Sequence, residues 1–213
     1  MLSGVTTEAR QDGSDNVRFR PIGLRQQIVL SAGLRIKPTR DCMRINEAEI
    51  LFVPGSSSPD ADHWISRWQS RLPTGKRIEG GNDDVASLSS ALAEALAGES
   101  DRPAVLVGHG AGVFAIAHAA RTSDVSRVRG AFLVNPSSSW NVPAPSREPL
   151  PFPSLVVISR DDPHASYEEM QDIGLDWGGH IVDAGAIGRV DASSGHGPWP
   201  EGLMRFGAFL ARL

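Results

Sequence analysis

The stretch that most constrains this chain is Ala104–Gly112. The purely apolar run Ala104-Val105-Leu106-Val107 passes straight into Gly108-His109-Gly110-Ala111-Gly112, and then into the small-residue segment Val113–Arg121. An apolar run without polar alternation reads as a strand buried on both faces, which needs a sheet covered on both sides. Glycines let the turn after that strand tighten and let the next helix pack close against it. Gly110, at the centre of the turn, falls at the start of the helix, where free backbone N–H groups point outward. Strand, tight turn and helix in direct succession is the building unit of a parallel α/β sheet.

The rest of the chain repeats that unit. Glu49–Val53, Gly130–Val134, Leu155–Ser159 and His180–Val182 are predicted strands, and Lys76–Ile78 is a short one. Asp60 or Asp62 is placed to cap a helix carrying Trp64, Trp68 and Leu72 on one face. Asp83-Asp84 precede Val85–Leu96, whose Val85, Leu88, Leu92 and Leu96 recur at helical spacing before Gly98. Tyr167–Leu175 and Gly202–Leu213 are further helices, and the Pro- and Ser-rich stretch 136–153 is a loop. The expected architecture is a compact α/β sandwich: a mostly parallel central sheet with helices on both faces and no large lid domain. No internal repeat points to a solenoid.

Composition excludes several classes. With 213 residues and 40% hydrophobic content the chain can bury a substantial core and is not compositionally disordered. No run approaches the roughly 18 apolar residues of a membrane span, and the N-terminus lacks a secretory pattern. The lone Cys42 cannot close an internal disulfide. A cytoplasmic protein with neither nucleic-acid nor membrane partners is therefore expected, at a net charge of −4. That charge is uneven. Residues 1–46 hold eight basic and four acidic side chains, so they are basic while the remainder is acidic. Two readings of this segment stand open. One is a frayed extension or an early start, with Met43 directly before the core pattern. The other is an arm that docks a partner or the acidic body. The expected division is 1–45 as extension and 46–213 as domain.

The turn at Gly108–Gly112 lacks both the GxGxxG spacing of a dinucleotide fingerprint and the Gly-Lys-Ser/Thr of a P-loop. Its context is that of a nucleophile elbow, in which a serine stands where this chain has Gly110. Further segments carry the same comparison: Leu51-Phe52-Val53-Pro54-Gly55; Asp62-His63-Trp64 with Trp68; Leu133-Val134-Asn135-Pro136; Ser159-Arg160-Asp161-Asp162-Pro163; Trp177-Gly178; and Ser194-Gly195-His196-Gly197-Pro198-Trp199-Pro200-Glu201-Gly202. In order and spacing the chain resembles, from about Ile50 onward, the small serine hydrolases of the α/β-hydrolase superfamily, the group that includes retinoblastoma-binding protein 9 and bacterial esterase-like relatives. The resemblance implies a Ser–Asp–His triad. Carried over by position, the nucleophile falls on Gly110, the acid on Asp162, which is retained, and the base histidine on Arg189, in Gly188-Arg189-Val190-Asp191. Glycine cannot attack a carbonyl, and arginine stays protonated near neutral pH.

An ion pair between Asp162 and Arg189 is expected from this arrangement, with Arg189 also free to bind an anion in the old cleft. Ser56, His109, Ala111, Arg189 and His196 are the candidate ligand-binding residues. Ser56, Ser57 and Ser58 follow the first strand near the oxyanion-hole loop that the resemblance implies, and read most simply as a polar turn. His164 reads as a rim residue and His63 as a packing or capping residue. His118 reads as a satisfied, partly buried imidazole, Trp64, Trp68, Trp177 and Trp199 as packing, and Trp140, in the proline-rich loop, as a rim residue of the cleft or of a partner surface. No metal-ligand spacing and no cofactor motif is present. The expectation is a catalytically degenerate hydrolase homologue that binds a protein partner or a small ligand in its residual cleft. The alternative is an active carboxylesterase with a relocated nucleophile, or with a water activated by Asp162 or His196.

Overall fold

The computed structural model describes residues 43–55, 60–80, 84–137 and 144–213. Cys42, Ser56, Ser57, Ser58, Asp83, Trp140 and residues 1–42 of the expected extension lie outside the described residues. Six strands, β1 (Glu49–Val53), β2 (Gly75–Arg77), β3 (Ala104–His109), β4 (Val128–Val134), β5 (Ser154–Ile158) and β6 (His180–Asp183), form one sheet in the order β2-β1-β3-β4-β5-β6. Every pairing is parallel. The helices are α1 (Trp64–Gln69), α2 (Val85–Ala97), α3 (Ala111–Thr122), α4 (Tyr167–Asp176) and α5 (Pro200–Leu210).

The unbroken apolar strands follow from burial on both faces. Leu51, Val53, Leu106, Leu133, Val156 and Ile158 pack with α2, α3 and α4. Their alternate neighbours Ile50, Phe52, Val105, Val107, Phe132 and Val157 pack with α1 and α5. The second face carries an aromatic cluster in which Trp68 meets Trp64 edge-on at 4.7 Å and stacks on Trp199 at 5.9 Å. Trp177, on the first face, meets Phe114 edge-on at 6.3 Å.

Glu49 lies buried at the N-terminal end of β1 and is paired with Lys76 and Arg127. Burial alone would raise its carboxyl; hydrogen bonds and charge from Lys76 and Arg127 outweigh that and hold it below the usual carboxylate range. A charged residue inside a buried strand is tolerated because both partners reach it. None of the described helices is long and apolar enough to cross a membrane.

Several local expectations are corrected. The cap of α1 is not Asp60 or Asp62: His63 Nδ1 accepts the N–H of Ile65, 3.1 Å away. Leu72 lies beyond α1, which ends at Gln69. Gly108 and His109 belong to β3, so the five-residue turn contracts to one residue. The final helix starts at Pro200, which suits a first helical position because its missing N–H is not needed there. His118 is exposed rather than partly buried, with Nδ1 2.9 Å from the Ser89 hydroxyl.

Candidate active site

The site is built on the C-terminal ends of β1, β3, β4 and β5. From β1 the chain runs outward to β2, and from β3 it runs the other way to β4. The crevice between β1 and β3 is therefore a topological switch point, where loops part and leave room for a ligand. Gly110 makes the reversal into α3 alone, at φ 55° and ψ −124°. Its N–H donates to the Val134 carbonyl at 3.0 Å, and its carbonyl accepts from Val113 at 3.1 Å. The flanking glycine has a different cause: a Cβ on Gly112 would stand 2.0 Å from the Val53 carbonyl oxygen, so α3 can seat on the end of β1 only with hydrogen there.

At Gly110 itself a side chain would fit closely, without the overlap seen at Gly112. An added Cβ would meet nothing closer than the Ser137 carbonyl oxygen at 3.3 Å. The cost of a side chain here is one of backbone conformation, since positive φ penalises every L residue by about 1 kcal/mol. Gly110→Ala is accordingly expected to lower the unfolding free energy by about 1 kcal/mol in urea titration. A loss several times larger would mean that the turn has no room for a side chain.

Asp162 follows β5 and is 9% exposed. Its Oδ2 accepts from Asn135 Nδ2 at 3.0 Å and from Ser137 Oγ at 2.8 Å, while Oδ1 accepts the His164 N–H at 2.8 Å. Asn135, fully buried and at a positive φ of 44°, ties the loops together. Its Nδ2 also donates to Gly188 O (3.1 Å), and its Oδ1 accepts from Ser159 N (2.8 Å). A non-glycine residue in that backbone region persists only where its surroundings fix it, and here hydrogen bonds to the loop after β5 and to Gly188 do so.

The expected ion pair between Asp162 and Arg189 does not form. The Arg189 guanidinium instead places Nη1 2.9 Å from His164 Nε2 and Nε 3.2 Å from Asp191 Oδ2. Asp162 is already saturated by neutral donors, and Asp191, two residues along the chain, is the nearer carboxylate. Burial would raise the Asp191 carboxyl; hydrogen bonds from Ser193 and Ser194 and the Arg189 charge together lower it. Val190, next in the chain, is buried at a φ of 55°, and its carbonyl accepts Trp64 Nε1 at 2.8 Å. A β-branched residue held in that conformation marks the loop as tightly specified.

His109 closes the arrangement, with Nε2 2.8 Å from the Arg189 carbonyl oxygen. That contact makes Nε2 the donor. The ring lies 4.9 Å from the ring of His63. Burial, with the neighbouring His109, pushes the His63 imidazole down to about 3, and burial likewise lowers His109 against the opposing pull of the Arg189 carbonyl. Both rings are neutral at physiological pH.

The structure thus brings Gly110, Asp162 and Arg189 to one place through Ser137, Asn135 and His109. Ala111 supplies a backbone N–H at the start of α3 and is buried. His196 is not brought to Asp162; its Nδ1 lies 3.2 Å from Ser194 Oγ. Ser56 cannot be placed, being outside the described residues. Among the described residues, no group of three His, Cys, Asp or Glu side chains is arranged to hold a metal ion. Sequence reasoning missed the roles of Asn135, Ser137 and Asp191. The available signal was Asn135-Pro136-Ser137 directly after a buried strand, where polar side chains fall at the active end of a parallel sheet.

The chain matches the family described as Serine hydrolase over residues 50–208. Among solved structures it is similar to a protein from Pectobacterium atrosepticum assigned as a YdeN-like hydrolase, at 29% sequence identity and a TM-score of 0.71, covering 78% of this chain and 91% of that one. A protein from Xanthomonas campestris assigned to the α/β hydrolase superfamily shares 20% identity at a TM-score of 0.55, over 77% of this chain and 98% of that one. The Bacillus cereus carboxylesterase shares 13% at a TM-score of 0.53, over 80% and 90%. The last two speak for the fold alone. No curated protein matches the chain.

Proposed function

The chain belongs to the serine hydrolase family, and on that premise we propose that this member has given up the covalent serine mechanism and acts by binding a small ligand or a protein partner at the residual cleft. The observation that carries this reading is Gly110: the elbow backbone has the positive φ of a tight strand-to-helix turn, but the residue offers no nucleophile. Support comes from the base position, where Arg189 has no lone pair to accept a proton and its guanidinium is engaged by His164 and Asp191. What remains at this end of the sheet is the Ala111 N–H, a buried hydrogen-bonded carboxylate and a partly exposed guanidinium. The basic segment 1–45 is the proposed docking arm if the partner is a protein.

The test pairs a fluorophosphonate probe with p-nitrophenyl acetate. The wild-type chain is expected to show neither labelling nor turnover above the buffer rate. Gly110→Ser with Arg189→His is expected to restore ester hydrolysis by roughly 10²-fold over that background, and neither single change should, because nucleophile and base act as a unit. Wild-type turnover that disappears in Asp162→Asn would overturn the proposal.

A second reading, an active esterase with relocated chemistry, draws on one contact: Ser137 Oγ donates to Asp162 Oδ2 at 2.8 Å, which puts a hydroxyl on the retained acid. On that reading Ser137→Ala abolishes a turnover that the wild type must first possess.

A further inference from the structure

Away from the elbow, a cavity of about 340 Å³ lies between α3, the start of α2 and the strap 144–146. Its walls are Val85, Phe114 and Ala117, with His118 and Arg121 among its lining groups. The strap is fixed in position rather than merely laid across. Trp177 Nε1 donates to the Ser146 carbonyl at 2.8 Å, and Leu150 N–H donates to the Trp177 carbonyl at 3.0 Å. Arg121 Nη2 donates to the carbonyls of Glu148 and Pro149, and its Nη1 pairs with Glu148 Oε2 at 3.1 Å. A cavity of this size with pinned walls is preformed, as small-molecule sites usually are.

The polar groups decide what it would hold. Ser89 is 2% exposed, and its hydroxyl contacts His118 Nδ1 at 2.9 Å. A hydroxyl buried to that degree needs an acceptor for its proton, and His118 Nδ1 is the one recorded, so Ser89 donates and Nδ1 accepts. With Nδ1 accepting, Nε2 is the ring nitrogen that carries a proton and offers a donor. Arg121, one turn further along α3, lines the same side with its guanidinium turned to Glu148 and the strap carbonyls. An occupant must therefore bring an apolar body and, at one end, a strong acceptor for His118 Nε2–H, which a carboxylate supplies. We propose that this cavity is a binding site for an apolar carboxylate of roughly 15–20 non-hydrogen atoms, held by its acyl or aryl body against Val85, Phe114 and Ala117 and by its carboxylate at His118 Nε2. The site depends on no part of the argument about Gly110 and serves an active or an inactive elbow alike.

The experiment uses a matched probe pair. 1-Anilinonaphthalene-8-sulfonate has the apolar body with an anionic acceptor, and N-phenyl-1-naphthylamine has the same body without it. Fluorescence titration of the full chain is expected to give saturable one-to-one binding of the sulfonate, displaced by decanoate, with the amine binding about tenfold more weakly. His118→Leu should weaken the sulfonate about tenfold and leave the amine unchanged. Ala117→Phe, which fills the cavity, should remove both; if it fails to fold, Val85→Trp fills the space from the opposite wall. Absent or non-saturable binding, or binding that survives the filled cavity, overturns the site. Equal affinity for the two probes overturns the carboxylate assignment.

Discussion

Gly112→Ala is expected to lower the unfolding free energy by about 3 kcal/mol or more, a large share of the roughly 5–15 kcal/mol that keeps a domain folded. The reason is local and steric. The new Cβ would stand 2.0 Å from the Val53 carbonyl oxygen, 2.7 Å from its carbonyl carbon and 2.9 Å from the Pro54 carbonyl oxygen. All three are backbone atoms, so no rotamer change relieves the overlap. Either α3 lifts off the sheet, or β1 shifts against β3, with which it is paired from Glu49↔Ala104 to Val53↔Gly108. Both movements disturb the buried apolar residues on either side of that pair. Urea titration of the variant beside Gly110→Ala separates the two glycines: a conformational cost at position 110, a collision at 112. Similar, small losses at both would show that the end of β1 yields more readily than its packing implies.

The second large effect is a loss of stability on mild acidification. His63 is 7% exposed, accepts the Ile65 N–H through Nδ1 as the cap of α1, and is lowered to about 3. In the unfolded chain the same imidazole takes up a proton near 6.5. Between those two values the unfolded state binds more protons than the folded one, so stability falls as pH falls. The contribution is complete above pH 6.5 and declines progressively toward pH 3. At pH 5 the deficit is about 2 kcal/mol from His63 alone. His109, also lowered by burial, acts in the same direction, and the carboxylates lowered in the folded state, Glu49 and Asp191, add theirs only at more acid pH. His63→Asn keeps an N-cap acceptor and removes the titration. Measured at pH 7.5 and pH 5, the wild type should lose markedly more stability than the variant. Equal losses would place the acid sensitivity elsewhere.

The fold was legible because its strands are buried on both faces. Runs such as Ala104–Val107 and Gly130–Val134 carry no polar interruption, and each recovered strand needed only its ends adjusted. The ends were less legible because caps depend on contacts. Nothing in Asp60-Ala61-Asp62-His63 announces that a neutral histidine, rather than an aspartate, takes up the first free N–H of α1. At the site, the sequence pointed to Gly110, Asp162 and Arg189; in the structure Ser137 links the elbow to Asp162, and the Arg189 carbonyl meets His109 beside it. The Arg189 partners could not be read. An arginine and an aspartate facing one cleft suggest an ion pair, yet Asn135 and Ser137 reach Asp162 from the end of β4, and the guanidinium turns to His164 and Asp191. Those choices rest on distances between loops that local pattern does not encode.

The all-parallel sheet has a further consequence for how the chain is made. No two neighbouring strands are joined by a hairpin. The inner edge of β1 waits for β3, with Ile50 facing Val105, and the far edge of β5 waits for β6. Such non-local closures are slow, and until they occur each strand presents an unpaired, strongly apolar edge. During synthesis β1 leaves the ribosome long before its central partner, so the earliest half of the domain spends that interval in need of protection from other chains. The elbow, which requires β1, β3 and β4 together, cannot close before β4 has emerged.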